Sequence, residues 1–498
     1  MSSAPFSDDR HPMVAAAYAP DIFEKLSGIW NQELTKHLTS VMQRKQPVLN
    51  WMEPESAIRL AESLLQHSTE PGIDHEVRFR ELITQMLAAG QNLHHPHYIG
   101  HQVPACIPMA ALFDAVGTVT NQPMAVYEMG PWASAVERAV VRALCRRIGW
   151  NADDSAGLLT SGGSLANLTA LLTARNVTFP DSWEQGLPSN AVLITHTDAH
   201  YCITRAAGIL GLGTGRVRRA PLDHRRRMDP EQLHQLILRE KSAGQTVLAV
   251  VAAACATPIG AFDPLPEIAE ICRKHQVWLH VDAAHGGGAL MSRRHRHLLT
   301  GIDMADSVVW DAHKMMFVPA LCASVLYRNK AHRFRTFQQD APYLFDPASP
   351  GMAEYDNGTW TVECTKHPLG FGLWGVWSMF GETLFEQLVD RTFELAAFLH
   401  QLLLDADDFA PLHVPECNIV AFQYRPAFLS TAAVEQQDQL QQQIRTKLIR
   451  SGDFYIVQTR IEGRTALRVT VMNPLTTRDD LAALLDAIRT AGDQVKVA

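Results

Sequence analysis

Between about residues 90 and 330 the chain alternates short apolar runs with amphipathic stretches, and this alternation constrains the fold more than any other feature. The apolar runs are "AVLITH" (191–196), "TVLAVVAA" (246–253), "VWLHVDA" (277–283), "DSVVWDA" (306–312) and "CASVLYR" (322–328). Between them lie "SLANLTALLTAR" (164–175), "DPEQLHQLILREKSAG" (229–244) and "PLPEIAEICRKHQ" (264–276), with apolar residues at three- and four-residue spacing. Strands that are apolar on both faces and separated by crossover helices predict an α/β fold with a mainly parallel sheet covered on both sides.

The flanks read differently. Residues 1–90 predict a helical N-terminal segment, with "APDIFEKLSGIWNQELTKHLTSVM" and "PESAIRLAESLLQ" both helical in period. Residues 91–385 are expected to form the large domain. Residues 386–498 carry the strands "IVAFQYR" (419–425), "FYIVQTR" (454–460) and "LRVTVMN" (467–473), broken by polar residues and flanked by helices. They predict a small α+β C-terminal domain with an antiparallel sheet.

Bulk properties exclude several classes. A net charge of −8 over 498 residues leaves no basic footprint for nucleic acid. No apolar run reaches the roughly 18 residues of a membrane span, and the N-terminus lacks the basic start and oily core of a signal peptide, so a cytoplasmic enzyme is expected. The eight cysteines form no CxxC pair or regular spacing, which suggests neither a zinc knuckle nor a disulfide framework. His94, His95 and His97 are not spaced to share a helical face, so no metal site is expected.

In open parallel sheets ligands bind beyond the carboxyl ends of the strands, and polar residues collect there. Asp282 ends "VWLHVD", His313 and Lys314 follow "VVWDA", Thr257 follows "LAVVAAACA", and His200 lies in the turn after "VLITHTDA". A buried ammonium is costly unless paired, neutralised or used covalently. "TSGGSLANLTALL" places Ser161-Gly162-Gly163-Ser164 ahead of a helix, a turn whose N–H groups and helix dipole can cradle phosphate. It fits neither a P-loop nor a dinucleotide fingerprint. One phosphate cradle, one carboxylate, one lysine and two histidines at one sheet edge suit pyridoxal 5′-phosphate (PLP). The lysine would be consumed as an imine, and the carboxylate would keep the pyridine nitrogen protonated.

From about residue 90 onward the sequence resembles the group II PLP-dependent amino-acid decarboxylases, whose members include glutamate, cysteine sulfinate, aromatic-amino-acid and diaminobutyrate decarboxylases. "HPHYIGHQ" (95–102), "VYEMGP" (126–131), "TSGGSLANLTALLTAR" (160–175), "GAFDPL" (260–265), "WLHVDAAHGG" (278–287), "ADSVVWDAHKMM" (305–316) and "LRVTVMNP" (467–474) match its blocks in order. The resemblance implies the PLP-dependent transferase fold type I. It implies that Lys314 is the covalent attachment point, Asp282 the partner of the pyridine nitrogen and His200 the imidazole stacked on the ring. Gly163, Ser164 and His313 would contact the phosphate, Thr257 would line the cofactor, and Arg468 would bind the substrate carboxylate. Tyr343, in "DAPYLFDP", resembles a loop tyrosine that enters the partner subunit's site and returns a proton to Cα. A homodimer with sites at the interface follows from that resemblance.

Departures fall where side-chain selection occurs. An aspartate-alanine pair, Asp311-Ala312, precedes His313; His285 follows "VDAA"; His101, with Gln102 beside it, holds a substrate-contacting position; and Cys364-Thr365-Lys366 replaces the family's Cys-Gly-Arg. The expected reaction is α-decarboxylation of a small polar or acidic L-amino acid (glutamate, aspartate, cysteine sulfinate or 2,4-diaminobutyrate) to an amine and carbon dioxide. The alternatives are an aromatic substrate, or oxidative decarboxylation to an aldehyde, against which the tyrosine at 343 argues.

Overall fold

The structure, a computed structural model, describes residues 12–66, 74–337 and 353–496. Tyr343 lies outside them. The chain divides into two compact units: Met1–Ile99 with Gln442–Ile456 and Leu475–Ala498, and Gly100–Gln441 with Val457–Pro474.

The second unit holds the α/β core. Among the described residues its main sheet has seven strands: β1 (Ala156–Thr160), β2 (Ala191–His196), β3 (Val217–Ala220), β4 (Thr246–Ala253), β5 (Trp278–Asp282), β6 (Ser307–Asp311) and β7 (Ala323–Tyr327). They stand in the order β1-β7-β6-β5-β4-β2-β3. β3, β2, β4, β5 and β6 are mutually parallel, and only β7 runs against its neighbours. Because β1 and β6 both oppose β7, the carboxyl ends of β1, β2, β4, β5 and β6 share one edge.

Both faces of this sheet are buried, as the near-continuous apolar runs require. Along β4, Val247, Val250 and Ala252 pack with Leu233, Ile237 and Ile268 on one side. Leu248, Ala249 and Val251 pack with Ala166, Ala170 and Ala174 on the other. Each fully buried valine or leucine contributes about 1.5–3 kcal/mol relative to exposure, which fixes the strands' register against the helices. The crossovers end as their residues dictate. Asp229 caps Pro230–Ser242 by accepting from the Gln232 N–H, and Gln276 closes Leu265–His275 in the left-handed conformation.

A second sheet in this unit comprises β8 (Phe409–Pro411), β9 (Ile419–Tyr424), β10 (Val457–Ile461) and β11 (Arg464–Thr470), in the order β10-β11-β9-β8 and antiparallel throughout. The first unit is helical, with Pro20–Met42, Pro54–Gln66, His75–Ala89 and Arg478–Lys496. Its polar anchor is Asp480, which accepts Arg44 Nε and Nη2 at 2.9 and 2.7 Å and lies 3.0 Å from His97 Nε2. No described helix is long and apolar enough to cross a membrane.

Candidate active site

At the shared carboxyl edge the strand ends enclose a cavity of about 410 Å³. β1 delivers Ser161 and Gly162, and the helix Gly163–Thr178 starts immediately after. Gly162 has φ +130° and provides no side-chain cap. The uncapped first-turn N–H groups of Gly163 and Ser164, both lining the cavity, are therefore placed to receive an anion. A Cβ at Gly163 would stand 2.6 Å from Asp311 Oδ2, so no larger residue fits between this turn and β6. A buried polar chain fixes the helix to the sheet. Asn167 donates to Gly163 O at 2.9 Å and pairs with His280 Nε2 at 2.8 Å, and His280 Nδ1 reaches Ser307 Oγ at 2.8 Å.

Lys314 lies one turn past β6, its Nζ 3.1 Å from Asp311 Oδ2, with the side chain 20% exposed into the cavity. Burial alone would lower its pKa. Attraction to Asp311 and Asp282 outweighs this and raises it, so without a cofactor the lysine is a paired ammonium. Asp282, at the end of β5, is buried and accepts the Ala284 N–H through Oδ1 at 3.2 Å. His200, in the turn after β2, accepts the Cys202 N–H at Nδ1 (3.3 Å). Burial lowers its pKa and the Lys314 charge assists, against Asp282 and Asp311, so its imidazole is neutral at neutral pH.

His313 is held through Nδ1 by the Cys322 backbone at 2.9 Å, and both it and Thr257 face the cavity. Thus Gly163, Ser164, His200, Thr257, Asp282, His313 and Lys314 come together. Two expected residues sit differently. His101 is exposed, and its neighbour Gln102 lines the cavity instead. Arg468, on β11, does not line the cavity. It is 5% exposed beside Cys255 and Cys417, with Nε and Nη2 unpartnered, and its burial lowers its pKa to about 10. Lys366, in the stretch that departs from the family, is directed elsewhere: its Nζ meets Glu137 Oε1 at 2.7 Å and Leu159 O at 2.6 Å, all buried.

Sequence reasoning missed Cys202, Cys255 and Leu321 as cavity residues. Cys202 lies two residues after His200, which was the available signal. Cys255 and Leu321 carried none, since each reads as one more apolar residue. A larger cavity of about 750 Å³ lies near Arg225, Arg226 and Arg464, but these are paired with Glu416, Asp198 and Asp438, and among the described residues no lysine lines it.

An uncapped helix start, a reactive lysine and a carboxylate one strand away fit pyridoxal phosphate: an anion site, an amine for its aldehyde and a counter-charge for its ring nitrogen. Fold and site thus define a PLP-dependent enzyme of fold type I. The profile of the pyridoxal-dependent decarboxylase conserved domain matches residues 54–425. Mouse acidic amino acid decarboxylase GADL1 is 31% identical over 473 residues, 93% of this chain and 84% of that protein. Mouse cysteine sulfinic acid decarboxylase is 31% identical over 496 residues, 98% of each. The crystal structure of mouse CSAD superposes with a TM-score of 0.85 at 29% identity, covering 94% of this chain and 98% of that one. The chain belongs to the pyridoxal-dependent decarboxylase family and is a PLP-dependent amino-acid decarboxylase.

Proposed function

We propose that this enzyme removes the α-carboxylate of a small polar or acidic L-amino acid, with aspartate, glutamate and cysteine sulfinate the leading substrates and 2,4-diaminobutyrate the next. The observation that carries this is Arg468, a buried guanidinium whose Nε and Nη2 have no partner. Leaving such donors unsatisfied costs on the order of 1–3 kcal/mol or more, which an incoming carboxylate recovers. The names of the two mouse relatives point the same way. The cavity is also small, at the lower end of ordinary ligand pockets, and must hold cofactor and substrate together.

The bound cofactor supplies an aldehyde that captures amines and a protonated ring that withdraws electrons from Cα. The chain's residues do the rest. Lys314, whose Nζ lies in the cavity, would hold the cofactor covalently. The Asp282 carboxylate raises the ring nitrogen's pKa by Coulomb attraction at the dry end of the cavity. Neutral His200 would cover the ring, and the N–H groups of Gly163 and Ser164, with His313, would hold the phosphate. Arg468, buried beside the cavity-lining Cys255, would pair with a carboxylate of the substrate. Tyr343 returns the proton to Cα.

A homodimer is part of this proposal. On the helix Pro108–Val119, Met109, Leu112, Val116 and Val119 form an exposed apolar stripe at helical spacing, with exposed Trp132 following and exposed Leu321 at the cavity. An uncovered stripe of this kind marks an interaction surface. Eight free cysteines, six of them buried, suit a reducing cytoplasm. The decisive experiment is carbon dioxide release measured over the common amino acids plus cysteine sulfinate and 2,4-diaminobutyrate. Turnover of acidic substrates is expected, and a preference for tryptophan or tyrosine would overturn the assignment.

A further inference from the structure

At the cavity wall and just behind it, three donors to which the proposed reaction assigns no role converge. Cys255 follows β4, His285 follows β5, and Cys417 stands two residues before β9. All three are buried, and one ligand atom from each lies within 4.8 Å of the others. The two Sγ atoms are 3.8 Å apart. Tetrahedral zinc with sulfur ligands at about 2.3 Å requires an S–S edge of about 3.8 Å, whereas a disulfide needs about 2.05 Å.

The histidine adds an independent observation. Its Nε2 is engaged by Asn418 Oδ1 at 2.8 Å, while Nδ1 is buried with no partner. A ring fixed at one nitrogen by an outer partner, with the other left open, is how metal-bound imidazoles are held. Asn418 is itself tied down, donating to Val471 O at 3.1 Å. An orphaned ring nitrogen in a dry site is otherwise costly.

We propose that Cys255, His285 and Cys417 form a binding site for one thiophilic divalent cation, zinc by its chemistry. Two thiolates and one imidazole supply three of four tetrahedral positions. Cys255 and His285 also line the cavity, and water or a carboxylate would complete the fourth position. Binding makes two Zn–S bonds and one Zn–N bond and releases the two thiol protons to solvent. The neutral site leaves the nearby Arg468 charge unopposed. The cysteines are 162 residues apart, which is why no spacing in the sequence announces the site.

The test reads zinc itself, so its outcome is separate from the substrate assignment. Purified holoenzyme is titrated with zinc against a chromophoric zinc chelator, and the bound metal is examined by X-ray absorption. One zinc per chain is expected, with two sulfur ligands and at least one nitrogen. Cys417→Ser and His285→Ala should each weaken binding at least 100-fold, with the visible absorption of the bound cofactor confirming that each variant is folded. The proposal fails if either loaded variant binds zinc within threefold of the parent. It fails equally if the absorption shows only nitrogen and oxygen ligands, or if excess zinc does not prevent diamide from crosslinking Cys255 to Cys417.

Discussion

In the proposed chemistry Asp282 is the pivotal residue, because its carboxylate at the end of β5 needs a cationic neighbour across the cavity. Lys314 is that neighbour in the structure described here, and its raised pKa registers both Asp282 and Asp311. In the proposed function, the ring nitrogen of bound PLP would be the partner of Asp282. Asp282→Asn keeps size and hydrogen bonding but removes the charge. Fully loaded enzyme should lose about 10²–10³ in kcat, the range of a preorganised electrostatic contact, with a smaller change in KM. Steady-state kinetics at matched cofactor absorbance would show this, and a loss below fivefold would remove Asp282 from its role. Tyr343 gives a second prediction: Tyr343→Phe should shift products from amine toward aldehyde, while an unchanged ratio would refute proton donation. The residues legible in the sequence were those where a polar group interrupts an apolar run, as Asp282, His313 and Lys314 do. Cys417 and Asn418 were illegible because their importance comes from a loop of the second sheet brought behind β5. His101 and Gln102 are adjacent, and only the backbone's path decides which one turns inward.

Elements show the same division between local and long-range information. β2 and β4 lie where their apolar runs begin and end, and β5, β6 and β7 differ from expectation by one residue at each end. β1 and β3 were not anticipated. β1 reads "AGLLT", too short and too glycine-marked to stand out, and it forms because β7 pairs along its whole length. β3 reads "VRRA", an edge strand whose arginines keep one side wet. The segment Cys364-Thr365-Lys366 carries the more consequential difference. Its sequence suggested substrate selection, yet the Lys366 ammonium is spent on Glu137 and the end of β1. Removing one partner of a buried pair leaves the other charge uncompensated, at about 3–5 kcal/mol. Lys366→Met should therefore lower the unfolding free energy from urea titration by that amount, and the midpoint with it, while leaving the ranking of substrates unchanged. A reordered ranking at unchanged stability would return this segment to the substrate's side chain.

Across the whole molecule, acid sensitivity follows from histidines whose burial opposes protonation. Burial lowers His280 and His413 to about 4 and His285 to about 3 in the α/β unit, and His95 to about 4 in the helical one. In the unfolded chain each titrates near 6.5. Above that pH neither state binds the proton, and the stability these groups confer is complete. Below it the unfolded chain takes up protons that the folded chain refuses, so stability falls by about 1.4 kcal/mol per pH unit for each histidine, until the folded values are reached. His196 acts in the opposite sense. Its burial is outweighed by Asp263 and its pKa is raised, so its contribution is present at low pH and lost as pH rises through the folded value. One against four does not reverse the sign. Asp480, lowered to about 2 by Arg44 and Thr477 despite its burial, adds a further loss only below about pH 4. Thermal unfolding of the holoenzyme followed from pH 7.5 to 4.5 should thus show a midpoint that begins to drop near pH 6.5 and steepens below 6. A flat midpoint down to pH 5 would mean that these imidazoles are charged or solvated in the folded state, and that the dry interior behind β4 and β5, on which the neutral His285 depends, is not dry.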